Sequence, residues 1–241
     1  MRVIRAFSRA ADTYGQYNLI QRDVARHLVM DYLPNNPGHI LDLGCGTGEL
    51  CRQLLQSNVD FKTFIGVDLS SSMLCRHPQD EKIFILQGDF NDVEFLRQLG
   101  TRDIQTVLSS SALQWTKDLD RTLRQLSAIG EEAAFAIFTS GTFRSLHSYL
   151  GLDSPIRDFD TVQGVLERYY TVYRIERREY RLDFENRKEL FHYIKGSGVS
   201  GGTSRLSVAQ ARRLVREYPS QSLEFEVLFF RGRPRSSFSR A

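Results

Sequence analysis

Three glycines at alternate positions, Gly44, Gly46 and Gly48, follow a short apolar run in "HILDLGCGTGEL" and open a helical pattern. Glycine lets a backbone turn tightly and come close to a ligand, and the free N–H groups at a helix start favour electron-rich groups. The spacing separates this loop from a dinucleotide fingerprint. G-x-G-x-x-G would put its third glycine at position 49, where this chain has Glu49. Asp68 lies twenty residues beyond Gly48 and closes the next apolar run, in "GVDLSSSML". A carboxylate so placed accepts both hydroxyls of a ribose. A ribose anchor without a diphosphate loop implies a nucleoside ligand that carries no phosphates.

These residues need a sheet to hold them. Strand-like runs at 39–43, 61–69, 82–88, 104–110 and 133–139 alternate with helical patterns at 45–57, 71–76, 91–99 and 118–129. Nearly continuous apolar strands alternating with helices predict a parallel sheet covered on both faces. Two further strands, 174–184 and 222–230, bring the total to about seven. The expected fold class is therefore α/β, a doubly wound, mostly parallel seven-stranded sheet. One domain should span residues 1–241: helices within 1–33, a ligand-binding core over 39–140, and a segment 141–241 with more helices and the last two strands. The Gly/Ser-rich stretch 195–204 reads as a loop, and the tail "RGRPRSSFSRA" as frayed.

The pattern D-x-G-x-G-x-G followed by an acidic residue closing the second strand resembles the class I S-adenosylmethionine-dependent methyltransferases, and residues 39–140 follow that family's order. The resemblance implies a Rossmann-like fold, S-adenosylmethionine as methyl donor and no metal. It places Gly44 and Gly46 beneath the amino-acid half of the donor, with Asp42 and Gly48 in the same binding loop, and Asp68 on the ribose. Leu69 and Met73 would flank the adenine. Asp89 would reach the adenine amino group with Phe90 beside it, and Ser109 and Ser110 would end the fourth strand by the methionine portion.

Four segments, "AFSRAADTYGQYNLIQ", "SSSALQWTKDL", "FTSGTFRSLH" and "FHYIKGSGV", are similar in order and spacing to the malonyl-[acyl-carrier protein] O-methyltransferases of biotin synthesis. That resemblance implies methyl transfer to the free carboxylate of a malonyl thioester on acyl-carrier protein. The helices before the first strand and after the fifth would then form a lid. Tyr14 would close over the donor, with Gln21 also on the donor side. Tyr14, Trp115, Phe143, Arg144 and Lys195 would face the substrate, with Tyr14 and Trp115 as an apolar wall and Arg144 or Lys195 supplying positive charge. Leu146 and His147 match the segment after the fifth strand, and Gly198 the loop that begins at Lys195. The departures are Ser110, where Asn is common, Ser145, where an acid is common, Val199, where Ala is common, and a shorter segment after Gly202.

Catalysis by positioning and desolvation suits such an acceptor, because a carboxylate is already ionised at neutral pH and needs no general base. No N-P-P-Y signature of amine methylation is present, and His147 and His192 read as helix-surface residues. Two alternatives stay open. The chain could methylate another small molecule, such as a dicarboxylate or a quinone precursor, or it could be a catalytically silent methyltransferase-like partner subunit.

The net charge of +3 conceals an asymmetry. Residues 1–150 carry 15 Lys and Arg against 17 Asp and Glu; residues 151–241 carry 17 against 12. The excess lies in "YRIERREYR" (Arg174, Arg177, Arg178, Arg181) and "ARRLVRE" (Arg212, Arg213, Arg216), and it is expected to steer an acidic partner such as a carrier protein. It lacks the dense stripe with interleaved aromatics that nucleic acid would require. No run of eighteen apolar residues and no signal-peptide pattern occurs, so a cytoplasmic protein without a membrane partner is expected. Cys45, Cys51 and Cys75 have no zinc-type spacing and read as reduced and structural.

Overall fold

The structure is a computed structural model that describes residues 18–196 and 208–236. A seven-stranded sheet runs in the order β3-β2-β1-β4-β5-β7-β6. Its strands are β1 (His39–Leu43), β2 (Thr63–Asp68), β3 (Ile83–Gln87), β4 (Thr106–Ser110), β5 (Glu132–Phe138), β6 (Tyr170–Asp183) and β7 (Ser222–Pro234). β1 to β5 pair in parallel, whereas β7 lies antiparallel between β5 and β6. The doubly wound, mostly parallel architecture is the one the strand–helix alternation predicts.

Between these strands stand α1 (Leu19–Tyr32), α2 (Glu49–Gln56), α3 (Ser71–Leu74), α4 (Val93–Leu99), α5 (Leu119–Leu126), α6 (Arg144–Leu150), α7 (Phe159–Tyr169), α8 (Arg187–Gly196) and α9 (Val208–Glu217). Short polar residues start several of them. The carboxylate of Asp92 accepts from the N–H groups of Glu94 and Phe95, that of Asp118 from Arg121 and that of Asp158 from Thr161, satisfying donors that the first helical turn leaves open. In α1 the buried residues Ile20, Val24, Ala25, Leu28 and Tyr32 recur every three or four positions and lay one face on the sheet.

The sheet separates two apolar clusters. On one face Ile40, Phe64, Leu108 and Phe229 pack against α1, α2, α6, α8 and α9. On the other, Leu41, Leu43, Val67, Val107 and Phe135 pack against α4, α5 and α7. Side chains alternate along a strand, so Asp42 shares the face of Ile40, beneath α1.

Several expected boundaries move. The tail expected to fray from Arg231 onward instead continues β7 as far as Pro234. Arg231 pairs with Glu132 at 3.0 Å across the β5–β7 ladder, and Gly232 lies opposite Ala133, so tertiary contacts hold a segment whose composition reads as solvent-exposed. β6 likewise begins at Tyr170 rather than 174, because its first residues pair with the end of β7. The stretch before it forms α7, which the helical patterns above do not include.

Candidate active site

A cavity of about 620 Å³ opens at the carboxyl ends of β1, β2 and β4. There β1 pairs with β2 on one side and β4 on the other, so the winding direction reverses, and open α/β sheets bind ligands in the crevice at such a point. Its floor is the glycine loop. Gly44 has φ +73° and a side-chain carbon there would lie 2.3 Å from the Cβ of Ala112, so the position admits only glycine. A carbon on Gly46, at φ +54°, would meet nothing within 4 Å, and this backbone therefore faces open space that a ligand can fill. The N–H groups of Gly44 and Cys45 both donate to the carbonyl of Val67, at 2.8 and 3.0 Å, fixing the loop to the end of β2.

Four carboxylates line this cavity: Asp42, Glu49, Asp68 and Asp89. Asp68, at the end of β2, accepts through Oδ2 from the N–H of Gly46 at 3.0 Å and through Oδ1 from that of Ser70 at 2.8 Å. Burial raises its pKa, and these backbone donors oppose the rise. Each oxygen keeps a second lone pair for a ribose hydroxyl. Asp42 is 1% exposed and neither oxygen has a hydrogen-bond partner. Burial pushes its carboxyl well above the usual range, and the neighbouring Asp68 adds to that. Gln21, brought over the cavity by α1, is 5% exposed and its amide oxygen and nitrogen are both unpartnered. Buried polar groups left open are costly, and their presence marks a place where a ligand completes the bonding.

Asp89 does not cap α4. Its Oδ1 accepts from the N–H and the Nδ2 of Asn91, each at 2.8 Å, and Asn91 Oδ1 in turn accepts from the N–H of Lys117 at 2.8 Å. This relay ties the loop after β3 to the segment after β4. Arg157 clamps the same segment from outside, donating to the carbonyls of Thr116 at 2.9 Å and Lys117 at 3.2 Å. The ion pair of Arg22 with Glu49, 3.9 Å, joins α1 to α2 at the rim.

The structure brings Gln21, Asp42, Gly44, Gly46, Asp68, Leu69, Met73, Asp89, Phe90, Ser110 and Trp115 to one cavity. It places others elsewhere. Gly48 caps α2 with φ +88° and backs onto His77 and Pro78. Ser109 is fully buried and its hydroxyl donates to the carbonyl of Leu43 at 2.7 Å. Phe143 packs in the core with its ring 5.1 Å from that of Phe225, and Leu146 is buried beside it. Arg144 is 63% exposed and pairs with Glu179 at 3.8 Å, away from the cavity lining. His147 is partly buried and its pKa is lowered by that burial, while His192 is exposed. Tyr14, Gly198, Val199, Gly202 and the side chain of Lys195 lie outside the described residues.

Sequence reasoning missed Asn91, Ser111, Ala112 and Lys117, all in the lining. The D-x-N spacing after β3 was the available signal for Asn91. The other three fall within "SSSALQWTKDL", whose pattern singles out Trp115 and not them. The basic run on β6 also differs from expectation: Arg174 and Arg178 pair with Glu176, Arg177 with Asp160 and Arg181 with Asp183, so much of its charge is matched within the molecule.

The comparisons with known proteins agree with this geometry. A family profile described as a methyltransferase domain matches residues 41–129. The chain is 27% identical over 235 residues to a malonyl-[acyl-carrier protein] O-methyltransferase of Chlorobium phaeovibrioides, covering 90% of this chain and 87% of that protein. A protein of the same name from Bacteroides thetaiotaomicron is 24% identical, with 86% of this chain and 80% of that one covered. A third, from Bacteroides fragilis, is 27% identical over 83% of this chain, which spans only 41% of that relative's length. Among solved structures, the YcgJ protein of Bacillus subtilis superposes with a TM-score of 0.60 at 11% identity, over 87% of this chain and 96% of that one. The Haemonchus contortus phosphoethanolamine N-methyltransferase 2 bound to S-adenosyl-L-methionine gives 0.57 at 14% identity, over 95% of this chain and 57% of that one. No helix among the described residues is long and apolar enough to cross a membrane. The sheet order, the glycine loop, the matched methyltransferase domain and the relatives named as O-methyltransferases together support an S-adenosylmethionine-dependent methyltransferase.

Proposed function

We propose that the chain, acting as a single cytoplasmic domain, transfers the methyl group of S-adenosylmethionine to the free carboxylate of a malonyl thioester on acyl-carrier protein, forming the methyl ester that primes biotin synthesis. The observation that carries this reading is the similarity over 90% of the chain to a protein of that name. The cavity is compatible with it. Among the described residues its lining contains no histidine to serve as a base, and an ionised carboxylate acceptor has no proton to lose.

The donor's sulfonium supplies an activated methyl group, and the residues present suit it. Asp68 holds the ribose, Asp42 accepts from the ammonium of the amino-acid half, and the amide of Gln21 donates to its carboxylate. Asp89, Phe90, Leu69 and Met73 enclose the base, and the Gly44–Gly46 backbone lies beneath the methionine chain. Among the described lining residues four acids stand against one lysine, and a cationic donor that draws them into the ionised form is favoured over its neutral thioether product. Trp115 and Ser110 close the acceptor side, and Tyr14 is the residue that the resemblance implies for completing it. Arg157 and Asn91 hold the Trp115–Lys117 segment in place, so the chain's contribution to rate is alignment and exclusion of water.

Mass spectrometry of malonyl-carrier protein after incubation with the enzyme and S-adenosylmethionine tests the reading. A gain of one methylene on the acyl group is expected. No gain from a protein that binds S-adenosylhomocysteine in calorimetry would overturn it, and equal rates with free malonate would exclude the carrier as the recognised partner.

A further inference from the structure

β4 ends at Ser110, and the next residue, Ser111, turns to φ +60°. That left-handed conformation is rare for a residue with a side chain. It is held from several directions: the N–H of Ser111 donates to the carbonyl of Ala136 at 2.9 Å, and the Gln114 side chain donates to the carbonyl of Ser111 at 2.7 Å. Ala112 follows, wedged against Gly44. The turn has a geometric result. Successive side chains on an extended strand point to opposite faces, yet here both residues line the cavity and their hydroxyl oxygens lie 3.5 Å apart. At that separation neither satisfies the other well, and both donors stay available.

We propose that the hydroxyls of Ser110 and Ser111 form a two-donor fork that orients the acceptor's carboxylate for methyl transfer. The inference rests on the carboxylate-acceptor reading above and adds which residues of this chain read that group. Neutral hydroxyls suit the task better than a cation. They fix the direction of the carboxylate while leaving its charge and one oxygen lone pair free, whereas a lysine or arginine pair would hold the same charge in a strong charge-assisted bond. The fork sits beside the glycine loop, through the Ala112–Gly44 contact. As the carboxylate oxygen bonds to the methyl carbon, the carbon–sulfur bond breaks, its electron pair stays on sulfur, and no proton is transferred. Strain kept at a binding wall is the usual sign that a position serves a ligand and not the fold.

The test is a set of variants measured with malonyl-carrier protein: Ser110→Ala, Ser111→Gly and the double variant. Glycine suits the positive φ at 111, so Ser111→Gly deletes the hydroxyl without endangering the fold. Each single change should lower kcat/KM for the malonyl thioester roughly tenfold, and the double change roughly 100-fold, as expected for hydrogen bonds to a charged group. The affinity for S-adenosylhomocysteine in calorimetry should stay within about twofold of the parent, on the same argument that the hydroxyls touch only the acceptor. Ser110→Thr, which keeps the hydroxyl, should recover most of the rate lost in Ser110→Ala. Unchanged kcat/KM in the double variant would overturn the fork while leaving the carboxylate reading intact. A parallel loss of S-adenosylhomocysteine affinity would also overturn it, by assigning the hydroxyls to the donor. A parent enzyme that binds S-adenosylhomocysteine but does not methylate the malonyl thioester would overturn the reading and the fork with it.

Discussion

Residues 39–117 and the edge strand β6 with its neighbours share one sheet but treat charge in opposite ways. In the first region Asp42, Glu49, Asp68 and Asp89 turn inward onto a cavity, and Asp42 has no partner of its own. In the second, acids and arginines turn outward and match one another along β6: Glu176 with Arg174 and Arg178, Asp183 with Arg181, and Glu179 with Arg144. No described residue beyond Lys117 lines the cavity. Exposed ion pairs contribute little to stability, about 0–1 kcal/mol each, whereas a buried polar group without a partner costs about 1–3 kcal/mol. The matched charges thus keep a long edge strand soluble and unattractive to other strands. The unmatched ones stand open to a ligand that would complete them.

The contrast can be broken experimentally, and Gly44→Ala should do so most severely. Its side chain would need φ +73° and would press on Ala112, so a destabilisation of about 2–5 kcal/mol is expected from strain and overpacking. Thermal unfolding and S-adenosylhomocysteine calorimetry should show a lower Tm and no measurable donor binding. A variant that binds like the parent would show that the loop relaxes and is not the floor of the site.

Asp68→Asn comes next. It keeps the shape but loses the anionic acceptor proposed for two ribose hydroxyls, and donor affinity should fall by about 10- to 100-fold. Retained affinity would move the ribose elsewhere in the cavity.

Asp42→Asn sharpens the comparison, because affinity and stability should move in opposite directions. The folded-state pKa of Asp42 lies above its unfolded value of 3.8. Between those two values the folded protein binds the extra proton, so stability without ligand declines as pH rises through that window. Removing the ionisable group should abolish this decline and raise the ligand-free Tm at neutral pH by roughly 2–4 °C, the equivalent of about 1 kcal/mol. Donor affinity should meanwhile weaken about tenfold. A Tm that falls instead would mean that Asp42 is satisfied within the fold.

The smallest effect belongs to the matched region. Arg181→Ala removes a pair with Asp183 in which both side chains are about 70% exposed, and stability should change by less than about 1 kcal/mol. A steep loss of turnover on malonyl-carrier protein, erased by added salt, would instead assign this edge to carrier docking.

What could be read from sequence followed local constraint. Gly44, Gly46 and Asp68 were legible because a turn of positive φ and a strand-end carboxylate leave marks within a few residues. The five parallel strands were legible because each reads as an apolar run, and all but the edge strand β3 are buried on both faces. Ser111 was not, since its importance comes from a left-handed backbone that serine does not announce. Lys117 depends on Asn91, 26 residues earlier, and on Arg157, 40 residues later. The end of β7 was hidden for a similar reason: "RGRP" is polar, and its pairing with the start of β6, with the Arg231–Glu132 pair on the β5 side, makes it a strand. Arg144 illustrates the converse. Its place in a familiar segment suggested the substrate, and the fold pairs it with Glu179 instead.

The position of β7 also sets an order of events during synthesis. Its partner β5, almost entirely buried from Ala133 to Phe138, receives its second neighbour only from residues 227–232, some ninety positions later. Until that stretch has left the ribosome, the parallel half presents an apolar strand with an open edge. Contacts so distant in sequence form slowly, and unpaired edges aggregate. A nascent chain halted before Ser222 should therefore associate with chaperones, and release of the last strand should free it.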